Sequence, residues 1–91
     1  MKLRAMVRIK GLVQGVSFRH YTQQTALQHN VTGWVMNLPD GNVAGCFEGE
    51  EKDVRTLIDW CRRGPDWAQV EEVSVEEEPY QGEFTRFNIR Y

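Results

Sequence analysis

Lys2-Leu3-Arg4-Ala5-Met6-Val7-Arg8-Ile9-Lys10-Gly11-Leu12-Val13-Gln14-Gly15-Val16-Ser17-Phe18-Arg19 is the stretch on which the fold turns. Leu3, Ala5, Val7 and Ile9 alternate with Lys2, Arg4, Met6, Arg8 and Lys10, the period of two of a strand with one buried face. The glycine-containing stretch from Gly11 to Gly15 ends that strand. From Phe18 to His29 the residues are good helix formers with weak apolar spacing at Phe18, Thr22, Ala26 and Leu27. The first unit is therefore strand, glycine turn, helix.

The remainder extends this unit. Thr32 to Met36 and Val43 to Phe47 are short β-prone runs around Leu38-Pro39-Asp40-Gly41-Asn42, whose turn formers make them a hairpin. Val54, Leu57, Ile58 and Cys61 fall at i, i+3, i+4 and i+7 and form one apolar stripe of a second helix. Glu50, Glu51 and Asp53 suit its positive end, Arg62 and Arg63 its negative end, and Gly64-Pro65 stops it. Val70 to Val75 reads as a fourth strand, and Phe87, Ile89 and Tyr91 alternate with Arg86, Asn88 and Arg90 in a short last one. The order β-α-β-β-α-β plus a short C-terminal strand predicts an α+β, ferredoxin-like split βαβ fold, an antiparallel sheet with two helices on one face.

A chain of 91 residues predicts one domain over 1–91, since half that length rarely folds unaided. No apolar run is long enough to span a bilayer, and the N-terminal bases interrupt any signal-peptide core, so a cytoplasmic protein without a membrane partner is expected. Cys46 and Cys61 are too few for a disulfide framework or a four-ligand metal site and read as buried thiols. Their pairing would require Cα atoms within about 6 Å, against the grain of a cytoplasmic setting. Residues 1–39 hold five bases and no acid, residues 40–91 thirteen acids and six bases, so a part at +5 precedes one at −7. An anion site in the first part would carry a favourable local potential, whereas a nucleic-acid surface is disfavoured.

Fold class alone leaves function open. Gly11 to Arg19 offers one chemical constellation: a turn with Gly15 at positive φ can aim several backbone N–H groups into a concavity at a helix start. The helix dipole and Arg19 would add positive charge, making phosphate the natural guest. Spacing equally allows an ordinary glycine-containing turn between strand and helix. Asn37, at the end of the second strand, offers an amide donor and an acceptor that could hold a water, or could cap the Pro39-Asp40-Gly41 turn.

Gly11 to Arg19, with Val13-Gln14-Gly15-Val16-x-Phe18-Arg19, and Gly33 to Gly49 resemble the two signature motifs of the acylphosphatases. The resemblance extends over the element order, Arg62-Arg63-Gly64-Pro65 and the Phe87-x-Ile89-Arg90-Tyr91 ending. Ser17, His20 and Met36 fall at positions that vary in the family. The resemblance implies hydrolysis of acyl phosphates to carboxylate and inorganic phosphate by a small monomeric enzyme with no metal or other cofactor. It implies that Arg19 and the backbone N–H groups of Gln14, Gly15, Val16, Ser17, Phe18 and Arg19 bind the phosphate, and that Asn37 orients the attacking water. The acyl side is expected near Phe18, Trp34 and neighbouring loops.

Three other readings compete. His20 and His29 lack partners at metal-ligand spacing and point in different directions from one helix. An RNA-recognition module would need its aromatic octamer on a central strand, where the sequence instead has Val43-Ala44-Gly45-Cys46-Phe47. A non-catalytic phosphate-binding or regulatory module would keep the cradle without turnover. Trp34 is expected to pack beside the hairpin, Trp60 to cover the edge of the helical stripe, and Glu76-Glu77-Glu78 to be a solvated strand end.

Overall fold

The computed structural model describes residues 1–91 as β1 (Lys2–Leu12), α1 (Phe18–Gln28), β2 (Thr32–Asn37), β3 (Val43–Glu50), α2 (Glu51–Arg63), β4 (Gln69–Glu78) and β5 (Phe87–Arg90). The sheet runs β4-β1-β3-β2-β5. Every pair is antiparallel except β2–β5, so the sheet is mixed, with one parallel pair at its last strand. The reason is the connection: residues 79–86 carry the chain from one edge to the other, where Gly33 pairs with Phe87 in parallel register.

The period-two reading of β1 holds. Leu3, Ala5, Val7 and Ile9 are buried, and Val35, Val43 and Phe47 extend the same apolar face. α1 packs on β2 and β5, α2 on β1, β3 and β4, and the helices meet, so both cover that face. α2 buries the stripe Val54, Leu57, Ile58 and Cys61. α1 buries only Phe18, Thr22 and Ala26, four residues apart, with the Thr22 hydroxyl satisfied by the Phe18 carbonyl at 2.7 Å. Leu27 is 61% exposed, because it lies about 100° around the helix from the Phe18–Ala26 row.

On the opposite face, residues 79–86 strap one end of the sheet. The Lys2 ammonium lies over the Tyr80 ring at 5.1 Å and the Arg4 guanidinium over Phe84 at 5.5 Å. The fully buried Glu48 carboxylate accepts the N–H groups of Gln81 and Glu83, both at 2.9 Å, and a longer contact from Arg4 at 3.4 Å. Burial alone would raise its pKa, but these donors outweigh burial and hold the carboxyl below its ordinary range. The acidic run is the end of β4, with Glu76 and Glu77 exposed as expected, and it pairs opposite Met6, Ala5 and Arg4; Glu78 meets Arg4 at 3.1 Å and Glu77 meets Arg55 at 2.9 Å.

Cys46 and Cys61 are free and buried, and burial pushes their thiols up to about 11 and about 12. Trp34 sits on the face away from the helices, beneath the Arg90 guanidinium at 4.5 Å. Trp60 packs its ring 5.5 Å from that of Phe18.

Candidate active site

The sheet end opposite the strap gathers the last residues of β1, β2 and β5. There a register shift between Lys10 and Gly11 kinks β1, whose pairing with β3 ends at Ile9 while Gly11 and Leu12 stay paired with Val70 and Gln69 of β4. Gly11 is required at this bulge: its φ is +136°, and a Cβ would sit 2.1 Å from the Gln69 carbonyl oxygen. The bulge delivers the chain into the loop 13–17, anchored by buried Val13.

In that loop Gly15 has φ +76° and Ser17 φ +62°, two left-handed residues in three. The first helical backbone bond beyond them runs from the Tyr21 N–H to the Ser17 carbonyl at 3.1 Å, so the N–H groups of residues 14–19 take no part in the backbone bonding of the fold. Ser17 makes no side-chain cap and the first turn of α1 holds no acid, leaving the positive helix end uncompensated. The Gln14 amide turns the other way, donating to the carbonyls of Leu38 at 2.7 Å and Asn42 at 2.9 Å. It ties the loop to the β2–β3 hairpin.

Arg19 and Asn37 line one cavity of about 360 Å³ with Gly15, Ser17 and Phe18. Gln14 and Val16 do not line it. Arg19 donates to the Arg90 carbonyl at 3.4 Å, and its guanidinium lies 4.8 Å from the centre of the Tyr91 ring. Asn37 does not cap the hairpin turn, which is held by the Asn42 N–H on Asp40 Oδ1 at 3.0 Å and by Leu38–Asn42 and Gly41–Leu38 backbone bonds. Its buried Oδ1 has no hydrogen-bond partner. Val13, His20, Ile89 and Tyr91 complete the lining, which includes no Asp or Glu. Sequence reasoning missed Ile89 and Tyr91 here, since β5 reaches the site only through its pairing with β2.

The arrangement offers orphan donors, a guanidinium and an unpartnered amide oxygen around one space, suited to a compact anion and a water. No cluster of three or more His, Cys, Asp or Glu side chains is present. Phe18, expected near the acyl side, is almost wholly buried in the core. Trp34, on the far face, lines neither this cavity nor its neighbour.

A family model described as Acylphosphatase matches residues 5–89. A protein of Geotalea uraniireducens named Acylphosphatase is 65% identical over 91 residues, covering 100% of both chains. The crystal structure of acylphosphatase from Bacillus subtilis aligns with TM-score 0.94 at 32% identity, covering 98% of this chain and 99% of that one. Full-length HypF in its phosphate- and nucleotide-bound form aligns with TM-score 0.85 at 28% identity, over 100% of this chain but 12% of its own.

Proposed function

The chain belongs to the acylphosphatase family and is a hydrolase of acyl phosphates, and from this premise we propose that Arg19 and the backbone N–H groups of residues 14–19 hold the phosphoryl group while Asn37 positions the water that attacks it. The observation that carries the reading is the convergence of Arg19, from α1, and Asn37, from β2, on one cavity beside a loop with unused donors.

The chemistry needs little more. Phosphoryl transfer passes through a loose transition state whose charge spreads over three equatorial oxygens, so donors and one guanidinium supply the main stabilisation. Water attacks phosphorus, the bond to the acyl oxygen breaks, and its electron pair leaves on a carboxylate. A carboxylate is a weak base and requires no general acid. The proton of the water passes to a phosphoryl oxygen, giving carboxylate and inorganic phosphate without a metal or other cofactor. The free Oδ1 of Asn37 accepts a hydrogen bond from the water and fixes its direction of attack. Arg19 reaches the phosphate by leaving its long contact with the Arg90 carbonyl.

The enzyme acts as a single domain over residues 1–91, monomeric and cytoplasmic, on a small acyl phosphate, with no nucleic-acid or membrane partner. Consistent with the last point, no helix is long and apolar enough to cross a membrane. Its hydrolysis of benzoyl phosphate is expected to survive excess EDTA. Arg19→Ala is expected to lower kcat/KM by about 10³-fold or more, and Asn37→Ala by about 10²- to 10³-fold, with both variants folded by circular dichroism. Retained turnover in either variant would reject its role. A second reading, a phosphate-binding regulatory module, draws on the match to a small part of HypF; phosphate binding with no turnover by the wild type would favour it.

A further inference from the structure

A second cavity, of about 630 Å³, adjoins the first and shares Gly15 and Ser17 with it. Tyr21, Trp60, Pro65 and Trp67 give it aromatic and apolar walls, while Arg63 and Asp66 contribute opposite charges. Trp67 is 82% exposed and lies outside the hydrophobic core. Tyr21, 45% exposed, lines the same cavity, so two exposed aromatic rings stand at one concavity.

In-line displacement fixes which side of the loop the acyl group occupies. The attacking and leaving oxygens stand on opposite sides of phosphorus. Asn37 lines the first cavity and not the second, so a phosphoryl group at Gly15 and Ser17 with its water on Asn37 directs its acyl oxygen toward the second. Because Arg63 and Asp66 offset each other, the cavity gives no reason to prefer a second anionic group. Its rings favour a flat, uncharged one.

We propose that the cavity between Tyr21 and Trp67 receives the acyl portion of the substrate and selects flat aromatic acyl phosphates over acetyl phosphate, with Trp67 as the specificity-determining residue. This rests on the phosphate site described above. The test compares kcat/KM for benzoyl and acetyl phosphate in wild type, Trp67→Ala and Trp67→Phe, with thermal unfolding confirming that each is folded. Trp67→Ala is expected to lower the benzoyl-to-acetyl ratio about five- to tenfold, and Trp67→Phe to restore most of it. An unchanged ratio in Trp67→Ala would overturn the assignment, as would a wild-type preference for succinyl phosphate over benzoyl phosphate. If the wild type hydrolysed none of these, the phosphate-site reading itself would fail, and the assignment with it.

Discussion

Gln14 and Asn37 are two amides with opposite employment, Asn37 lining the cavity and Gln14 tying the loop beside it. Gln14 commits its N–H donors to two hairpin carbonyls, whereas the oxygen of Asn37 is left without a partner. The Leu38 and Asn42 carbonyls also accept backbone N–H groups, so Gln14→Ala orphans neither. The expected loss of stability is mild, about 1 kcal/mol by urea unfolding. The kinetic loss should be larger, roughly ten- to a hundredfold in kcat/KM, because the tie holds the cradle against Asn37 and small displacements of reacting groups are costly. Arg19 and Asn37 were legible because their surrounding motifs are local in sequence. The side-chain task of Gln14 was not, since its partners lie 24 and 28 residues away.

Among the elements, glycines separate two kinds of constraint. Gly15 has open space around a would-be Cβ and is constrained only by its φ, so Gly15→Ala should cost about 1–2 kcal/mol. Gly33 has φ +138°, and its Cβ would meet the Cys46 carbonyl oxygen at 1.8 Å, inside the β2–β3 pairing. Gly33→Ala is therefore expected to cost about 3 kcal/mol or more, read as a much lower midpoint in thermal unfolding than that of Gly15→Ala. β1 and α2 are readable from periodicity because each buries one clean face or stripe, and β2 and β3 from the turn formers between them, β3 being buried on both faces from Gly45 to Glu48. The alternation over Val70 to Val75 marks only part of β4; Glu76, Glu77 and Glu78 show none, and their pairing with β1 carries the strand to Glu78. The parallel placement of β5 had no local signal, as it depends on where the strap leads.

For the whole molecule, Glu48 and the strap govern the response to acid. A carboxyl held below its ordinary pKa in the fold, and normal in the unfolded chain, stabilises the fold fully above the ordinary range of about 4. That stability drains as pH falls through the depressed folded value. Glu48→Gln should cost about 2–3 kcal/mol at pH 7, and the gap from wild type should narrow in urea unfolding at acidic pH. A constant gap would show that the carboxylate charge is not what holds the strap. β1 raises a different matter, the order of events in folding. It lies between β3 and β4, with Lys2 opposite Glu50 and Arg4 opposite Glu78. Such distant partners imply slow folding, during which a strand synthesised before either of them stands with both edges bare. Lys2, Arg4, Arg8 and Lys10 then act as gatekeepers, their like charges repelling the same strand of another copy until its own partners arrive.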